Sequence, residues 1–498
     1  MEEPHKNKSY RQIFKSTSLI GGSQVINIIL GIVRTKILAI LLGPSGVGII
    51  GIFNSITSLV VTFAGMGIGN SGVRQIAEAA GTGDKIRIAR TTITLRWVAL
   101  ILGTIGVVVL AACAYPLSKL TFGDASHTLD LVLLSITVFF GAVSGGQVAL
   151  IQGMRRVSHM AALSVFGALF GTLFSIPFIF FWGQRGVVPF LIATSAASFC
   201  TSWWFARKIA VASVVMTMKD IWGESQALLK LGIVFMATGI MTTGTMYVVQ
   251  VIVVRIIGID AAGLFQSAST LSTLYIGVIL TAMGADFYPR LTAVAFDNVA
   301  VNRLVNEQAE IGMLLALPGI VFTIAFAPLI LEIFYSAKFL AANKVLCWYI
   351  LGIFLRVLCW PLGFIIIAKG RGALFFWTEL IANSIYLSLA WLGVSFFGIV
   401  GAGIAFFIMY ILYMVMIILV ARRISDFTWS ENNIRRMFYA ISLVGLMFFV
   451  SQTATASWSM LLGGLLTAIT TFYSLKSLHR IVGPVDVKSF FSKVRRKL

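Results

Sequence analysis

LGPSGVGIIGIFNSITS, residues 42–58, and IGIDAAGLFQSASTLST, residues 257–273, decide how this chain is read. Each joins two long apolar runs, opens on a glycine that can end a helix, and continues into small and hydroxyl residues. At an offset of 215, Gly43 meets Gly258, Gly48 meets Gly263, Asn54 meets Ser269 and Ser58 meets Thr273. The same offset aligns Gly183 and Gly186 with Gly398 and Gly401, and Arg156 with Arg371; Arg74 and Arg290 agree with a one-residue slip. Glycine and serine are common in membrane helices, so a single match carries little. One offset holding at distant sites marks a repeat of spans one to six as seven to twelve. Six is even, so the repeats run the same way through the membrane, the parallel arrangement that frames a central cavity in alternating-access transporters.

The rest of the sequence agrees. Of 498 residues, 58% are apolar and 11% charged, against roughly 25% charged in soluble domains. That excludes a soluble enzyme, a disordered chain and a nucleic-acid-binding module. Fourteen apolar runs of membrane length occur near 16–42, 47–71, 92–116, 128–152, 159–182, 187–206, 231–257, 261–285, 308–331, 344–367, 373–397, 400–420, 436–452 and 457–475. Backbone in lipid must satisfy itself, so the expected fold is all-α: a polytopic membrane protein with about 14 transmembrane helices. The expected organisation is an N-lobe (1–206), an interlobe cytoplasmic link (207–230), a C-lobe (231–420), two further spans (421–475) and a basic cytoplasmic tail (476–498). In the link, MKDIWGESQALLK (218–230) reads as an interfacial helix.

Net charge is +20. With the N-terminus on side one, 29 Lys and Arg fall on that side and four (Lys119, Arg185, Lys338, Lys344) on the other. The positive-inside rule then places both termini in the cytoplasm. The excess suits anionic lipids rather than nucleic acid. No signal peptide is expected, because MEEPHKNKSY is polar and no cleavage site follows the first run. Cys113, Cys200, Cys347 and Cys359 lie in apolar runs, and the four histidines are scattered, so no disulfide framework, metal site or cofactor is expected. Gly67, Gly69 and Gly72 spell GxGxxG, but after a helix rather than a strand, which argues against a dinucleotide site.

Polar groups inside the runs mark the candidate site. Gln24, Asn27 and Arg34 share one face of span one. Arg34 lies nine residues before Gly43, roughly 13 Å deep. An intramembrane arginine marks a wet pathway or a buried ion pair, and no acid in the outer half of the first lobe is an obvious partner. Arg356 sits near mid-depth in span ten, with Tyr349 and Trp360 on its face. A guanidinium beside aromatic rings suits an acidic group attached to sugars, the alternative being a helix-packing arginine. Arg255 lies near the outer rim. Glu379, with Asn383 and Tyr386 at helical spacing, is either a carboxyl coupled to proton or cation movement or a structural one. Arg74 and Arg290 are candidates for a cytoplasmic gate. Stripes in span two (Asn54, Ser58), span seven (Thr238, Thr242, Thr245) and span eight (Gln266, Ser269, Thr273) read together as a wet lumen, or singly as interhelical contacts.

RTKILAILLGPSGVGI (34–49), PRLT (289–292) and SAKFLAANKVLCWYILGIFLRVLCWPLGFIIIAKGRGALFFWTE (336–379) resemble Wzx-type polysaccharide flippases, in the O-antigen and lipid III branch of the multidrug/oligosaccharidyl-lipid/polysaccharide exporter superfamily. The likeness covers most of the chain. It implies a transporter rather than an enzyme, moving undecaprenyl-diphosphate-linked oligosaccharide from the inner to the outer leaflet of a bacterial inner membrane. It also implies a glycan polymerase and a chain-length regulator as partners. Arg34 falls where related lipid II flippases carry an intramembrane arginine. The spans beyond twelve, 436–475, depart from the common twelve-helix plan. The competing reading is a multidrug or cation antiporter of the same superfamily, which would want lumen acids. A polymerase or ligase would want a long outer loop.

Overall fold

Every regular element in the computed structural model is a helix; it describes residues 3–482, with side chains from Gly22 onward at all but a few positions. The helices are α1 (Glu3–Ala64), α2 (Ile68–Thr82), α3 (Lys85–Phe122), α4 (Thr128–Gly153), α5 (Val157–Trp182), α6 (Val187–Ala206), α7 (Met218–Ile256), α8 (Ile259–Ala293), α9 (Asn298–Ala325), α10 (Ala327–Phe334), α11 (Asn343–Ala368), α12 (Gly372–Phe397), α13 (Ile399–Ser425), α14 (Glu431–Thr453) and α15 (Ala456–Val482). Twelve stretches are long and apolar enough to cross a membrane. Two of these are double. Gly22–Ala64 breaks at Gly43, whose φ is 67° and which precedes Pro44, and Val157–Ala206 breaks at the 3-10 turn Gly183–Gly186. Resolved at those breaks, about fourteen spans are present among the described residues. The chain is a multi-pass membrane protein. Lys6, Lys8, Arg11 and Lys15 lie outside the described side chains, and the basic tail lies outside the described residues beyond Val482.

Three local readings change. Span two stops at Ala64; Gly65–Gly67 turn the chain, and Ile68–Thr82 forms a separate helix burying Ile68, Ile76 and Ala79. Gly67 there has a φ of 62° and lies against the Gly232 carbonyl, so this glycine serves a turn. Span nine ends at Ala325, with Ala327–Phe334 a separate short helix. The interfacial helix expected at 218–230 is the first part of α7, and only 207–217 is non-helical. Thr217 caps it in a reciprocal box with Asp220, and no proline interrupts the 39 residues that follow.

By contacts the chain forms two compact units, Met1–Gln266 with Ile333–Lys338, and Ser267–Glu332 with Phe339–Leu498. In the first, Ile68, Ile76, Leu95, Ala149 and Ile209 form a core under α2, α3 and α4, and α7 packs on α1, α2 and α3. In the second, Phe287, Leu291, Val305, Cys359, Leu362, Ile417 and Phe427 form the core between α8, α9, α11 and α13. The spans beyond twelve are anchored there by polar contacts. Asn433 Nδ2 donates to the Asn306 carbonyl at 2.9 Å, the Ser430 N–H donates to Asn306 Oδ1 at 2.8 Å, and Arg436 pairs with Glu310.

The 215-residue offset recurs in the backbone. α4 and α11 are each 26 residues long and register at that offset, as do α5 and α12. The turn after α4, with Arg155 at φ 52°, matches the turn after α11, with Gly370 at φ 70°. The Arg156 N–H donates to the Ile151 carbonyl at 3.1 Å, and the Arg371 N–H to the Ile366 carbonyl at 3.0 Å. Gly183 (φ 54°, ψ −130°) and Gly398 (φ 59°, ψ −148°) close the two hairpins alike.

Candidate functional site

In the second unit, α11, α12 and α13 enclose a cavity of about 340 Å³. Arg356 and Trp360 line it from α11, Glu379 and Asn383 from α12, and Tyr410 and Tyr413 from α13. Tyr413 Oη donates to Glu379 Oε1 at 2.9 Å, and Asn383 Nδ2 donates to the Glu379 carbonyl at 2.8 Å. Glu379 interacts electrostatically with Arg356, yet among the described residues the two form no ion pair. A second cavity, about 550 Å³, is lined by Thr273, Gly277 and Gly284 of α8 and again by Arg356 and Trp360. Arg356 and Trp360 thus face both spaces. The Trp360 ring is braced by Phe364 at 4.5 Å and Phe287 at 6.0 Å.

Tyr349 does not join this lining. It is 2% exposed, stacks on Phe406 at 4.5 Å and shares a 2.8 Å hydroxyl hydrogen bond with Tyr386, behind the cavity wall. The α11 segment is buried on most of its faces, so residues sharing a face with Arg356 at ideal spacing need not share its opening. Tyr410 and Tyr413 escaped the sequence reading because tyrosines in an apolar run are unremarkable. Their i, i+3 spacing on one face was the available signal.

In the first unit, Arg34 is half-buried and, among the described residues, makes no hydrogen bond or ion pair. Seven residues earlier, Asn27 donates from Nδ2 to Ser164 Oγ, fixing α1 to α5, and its Oδ1 is buried without a partner. That leaves an acceptor and a cation on one helix face. Arg255 is exposed, with its guanidinium against Gly123 at the C-cap of α3. The carbonyl end of that helix favours a cation there. Arg74 is exposed and pairs with Glu78 at 2.9 Å, and Arg290 is exposed on α8. Of the polar stripes, Asn54 and Ser58 are exposed and Thr273 lines the larger cavity, whereas Gln266 accepts from Gln250 at 2.7 Å.

The described residues thus form a helical, multi-pass membrane protein with repeated hairpins and two cavities that share Arg356 and Trp360. The chain belongs to the polysaccharide biosynthesis protein family, whose model matches residues 37–344. It is similar to the lipid III flippases of Escherichia coli (strain K12) and Shigella flexneri, each 23% identical over 418 residues, covering 80% of this chain and 95% of theirs. Among solved structures it is similar to the lipid II flippase MurJ in an inward closed conformation, with a TM-score of 0.69 at 16% identity over 93% of this chain and 99% of that one. It is also similar to an inward-facing multidrug resistance MATE family transporter, with a TM-score of 0.66 at 19% identity over 81% of this chain and 95% of that one.

Proposed function

We propose that this protein is a flippase for undecaprenyl-diphosphate-linked oligosaccharide, moving O-antigen or enterobacterial-common-antigen-type units from the inner to the outer leaflet of a bacterial inner membrane. The observation that carries the reading is the near full-length similarity to proteins named lipid III flippases. The geometry agrees with it. Arg34 offers an unpaired guanidinium at membrane depth, and Arg356 beside Trp360 offers a cation and an indole to two cavities. Guanidinium groups fork phosphate oxygens and aromatic faces accept sugar rings, so a diphosphate-sugar head meets both. The lobes 1–206 and 231–420 would alternate access, with Arg74 and Arg290 at the cytoplasmic gate, Glu379 as the coupling group, and both termini in the cytoplasm. A glycan polymerase and a chain-length regulator are the partners that would act on the delivered unit.

One observation favours the multidrug antiporter reading. Glu379 faces a cavity rich in aromatic rings, a setting that also accepts organic cations. The two readings separate in a deletion strain. Loss of a surface glycan, with its lipid-linked precursor trapped on the cytoplasmic side, supports the flippase. Intact glycan with new sensitivity to cationic drugs would replace it.

A further inference from the structure

At the end of α6 the chain stacks two cations on three rings. The Arg207 guanidinium lies 4.8 Å from the Trp203 ring centroid and 4.2 Å from that of Trp204. Lys208 Nζ lies 5.3 Å from Trp204 and 4.9 Å from Phe205. Trp203, Trp204, Arg207 and Lys208 are exposed, as are Val215 in the strap 207–217 that follows and Met218, Lys219 and Trp222 in the first turns of α7. The strap is not loose. Ile209 is buried in the core with Ile76 and Leu95, and Val211 and Leu229 pack against it.

The nearby acids are committed elsewhere. Asp220 accepts from the Thr217 hydroxyl at 2.7 Å and the Thr217 N–H at 3.0 Å, which hold its carboxyl below the usual aspartate range. Glu224 pairs with Arg90 at 2.5 Å and accepts from Thr94. Among the described residues, Arg207 and Lys208 have no carboxylate partner. The result is a pinned pair of uncompensated cations, set among indoles that prefer the headgroup layer.

We infer that Arg207 and Lys208, on the indole platform of Trp203 and Trp204, form a binding site for the headgroup of an anionic phospholipid. A phosphodiester offers oxygens to the two cations while the indoles and Val215 rest in the interface. The occupant is bulk anionic lipid, because two cations without a carboxylate partner among the described residues lie beside the exposed Trp203 and Trp204 at the end of α6. Such a site would make the segment joining α6 to α7 sensitive to lipid charge. The binding claim stands apart from the transport reading.

The full-length protein, purified and loaded with mixed phosphatidylglycerol and phosphatidylcholine, tests it by native mass spectrometry of retained lipid. Wild type should retain phosphatidylglycerol preferentially. Lys208→Gln should weaken that retention about fivefold, and the double change Arg207→Gln with Lys208→Gln roughly 25-fold. Lys208→Arg should keep it. Unchanged melting of Lys208→Gln shows that fold is not the cause. Equal retention of the two lipids by wild type, or unchanged preference in both variants, would overturn the assignment. So would displacement of phosphatidylglycerol by equimolar undecaprenyl diphosphate, which would give the site to the cargo.

Discussion

Arg34, Arg356 and Glu379 stood out in the sequence because a charge inside an apolar run is costly and needs a reason. The structure leaves Arg34 unpaired among the described residues and sets Arg356 and Glu379 on one cavity. Arg34→Ala should cut surface glycan about tenfold or more while the protein still inserts, the loss expected when a charge-assisted contact goes. Arg34→Lys should retain part of the activity, since charge survives but the fork is lost. Quantitative glycan staining against membrane protein level reads both, and full activity in Arg34→Ala removes it from the pathway. Tyr413→Phe deletes the hydroxyl that donates to Glu379 at 2.9 Å. If that contact is structural, thermal stability falls by about 1–3 kcal/mol and Glu379→Gln destabilises similarly. If Glu379 couples a proton, Glu379→Gln melts normally and loses gradient-stimulated uptake of labelled lipid-linked oligosaccharide into vesicles. Tyr349 shows the limit of residue-scale reading. Helical spacing gave it the face of Arg356, and only packing against Phe406 and Tyr386 put it behind the wall.

At the scale of elements, apolar runs located the spans well, because lipid leaves a chain few alternatives. Turns were harder. The break at 65–67 lies inside the run 47–71 that reads as one span, and the α7 extension contains charges that read as interfacial although its cap starts one continuous helix. The hairpin glycines Gly183 and Gly398 were legible as a repeat, and both occupy backbone that β-branched residues avoid. Gly398→Val and Gly183→Val should therefore each cost about 1–3 kcal/mol in thermal unfolding. Arg155→Gly, which copies the glycine at Gly370, should be neutral or stabilising by up to about 1 kcal/mol. The α7 cap has a pH signature. Because the Asp220 carboxyl is held low, its stabilisation is present above the ordinary aspartate range and is lost as pH falls through the lowered value. The melting difference between wild type and Asp220→Ala should be constant near neutral pH and vanish in strong acid. A difference that grows with acidity would contradict the cap.

Across the whole molecule, charge and repeat together predict an orientation. By the positive-inside rule, the 29-to-4 division of Lys and Arg predicts Arg156 and Arg371 in the cytoplasm and Lys338 outside. The turns carrying those arginines share their hydrogen-bond pattern and sit 215 residues apart, after helices of equal length. In parallel repeats such twins occupy the same side of the membrane; inverted repeats would put them on opposite sides. One set of reporter fusions therefore tests span count, repeat sense and orientation at once. Fusions after Arg156 and after Arg371 should both report cytoplasm, and a fusion at Lys338 should report the periplasm. Opposite signals from the two arginine sites would mean an odd number of spans between them and would break the parallel repeat. Matching signals of the reverse sign would keep the repeat, invert the protein, and carry Arg207 and Lys208 to the other leaflet.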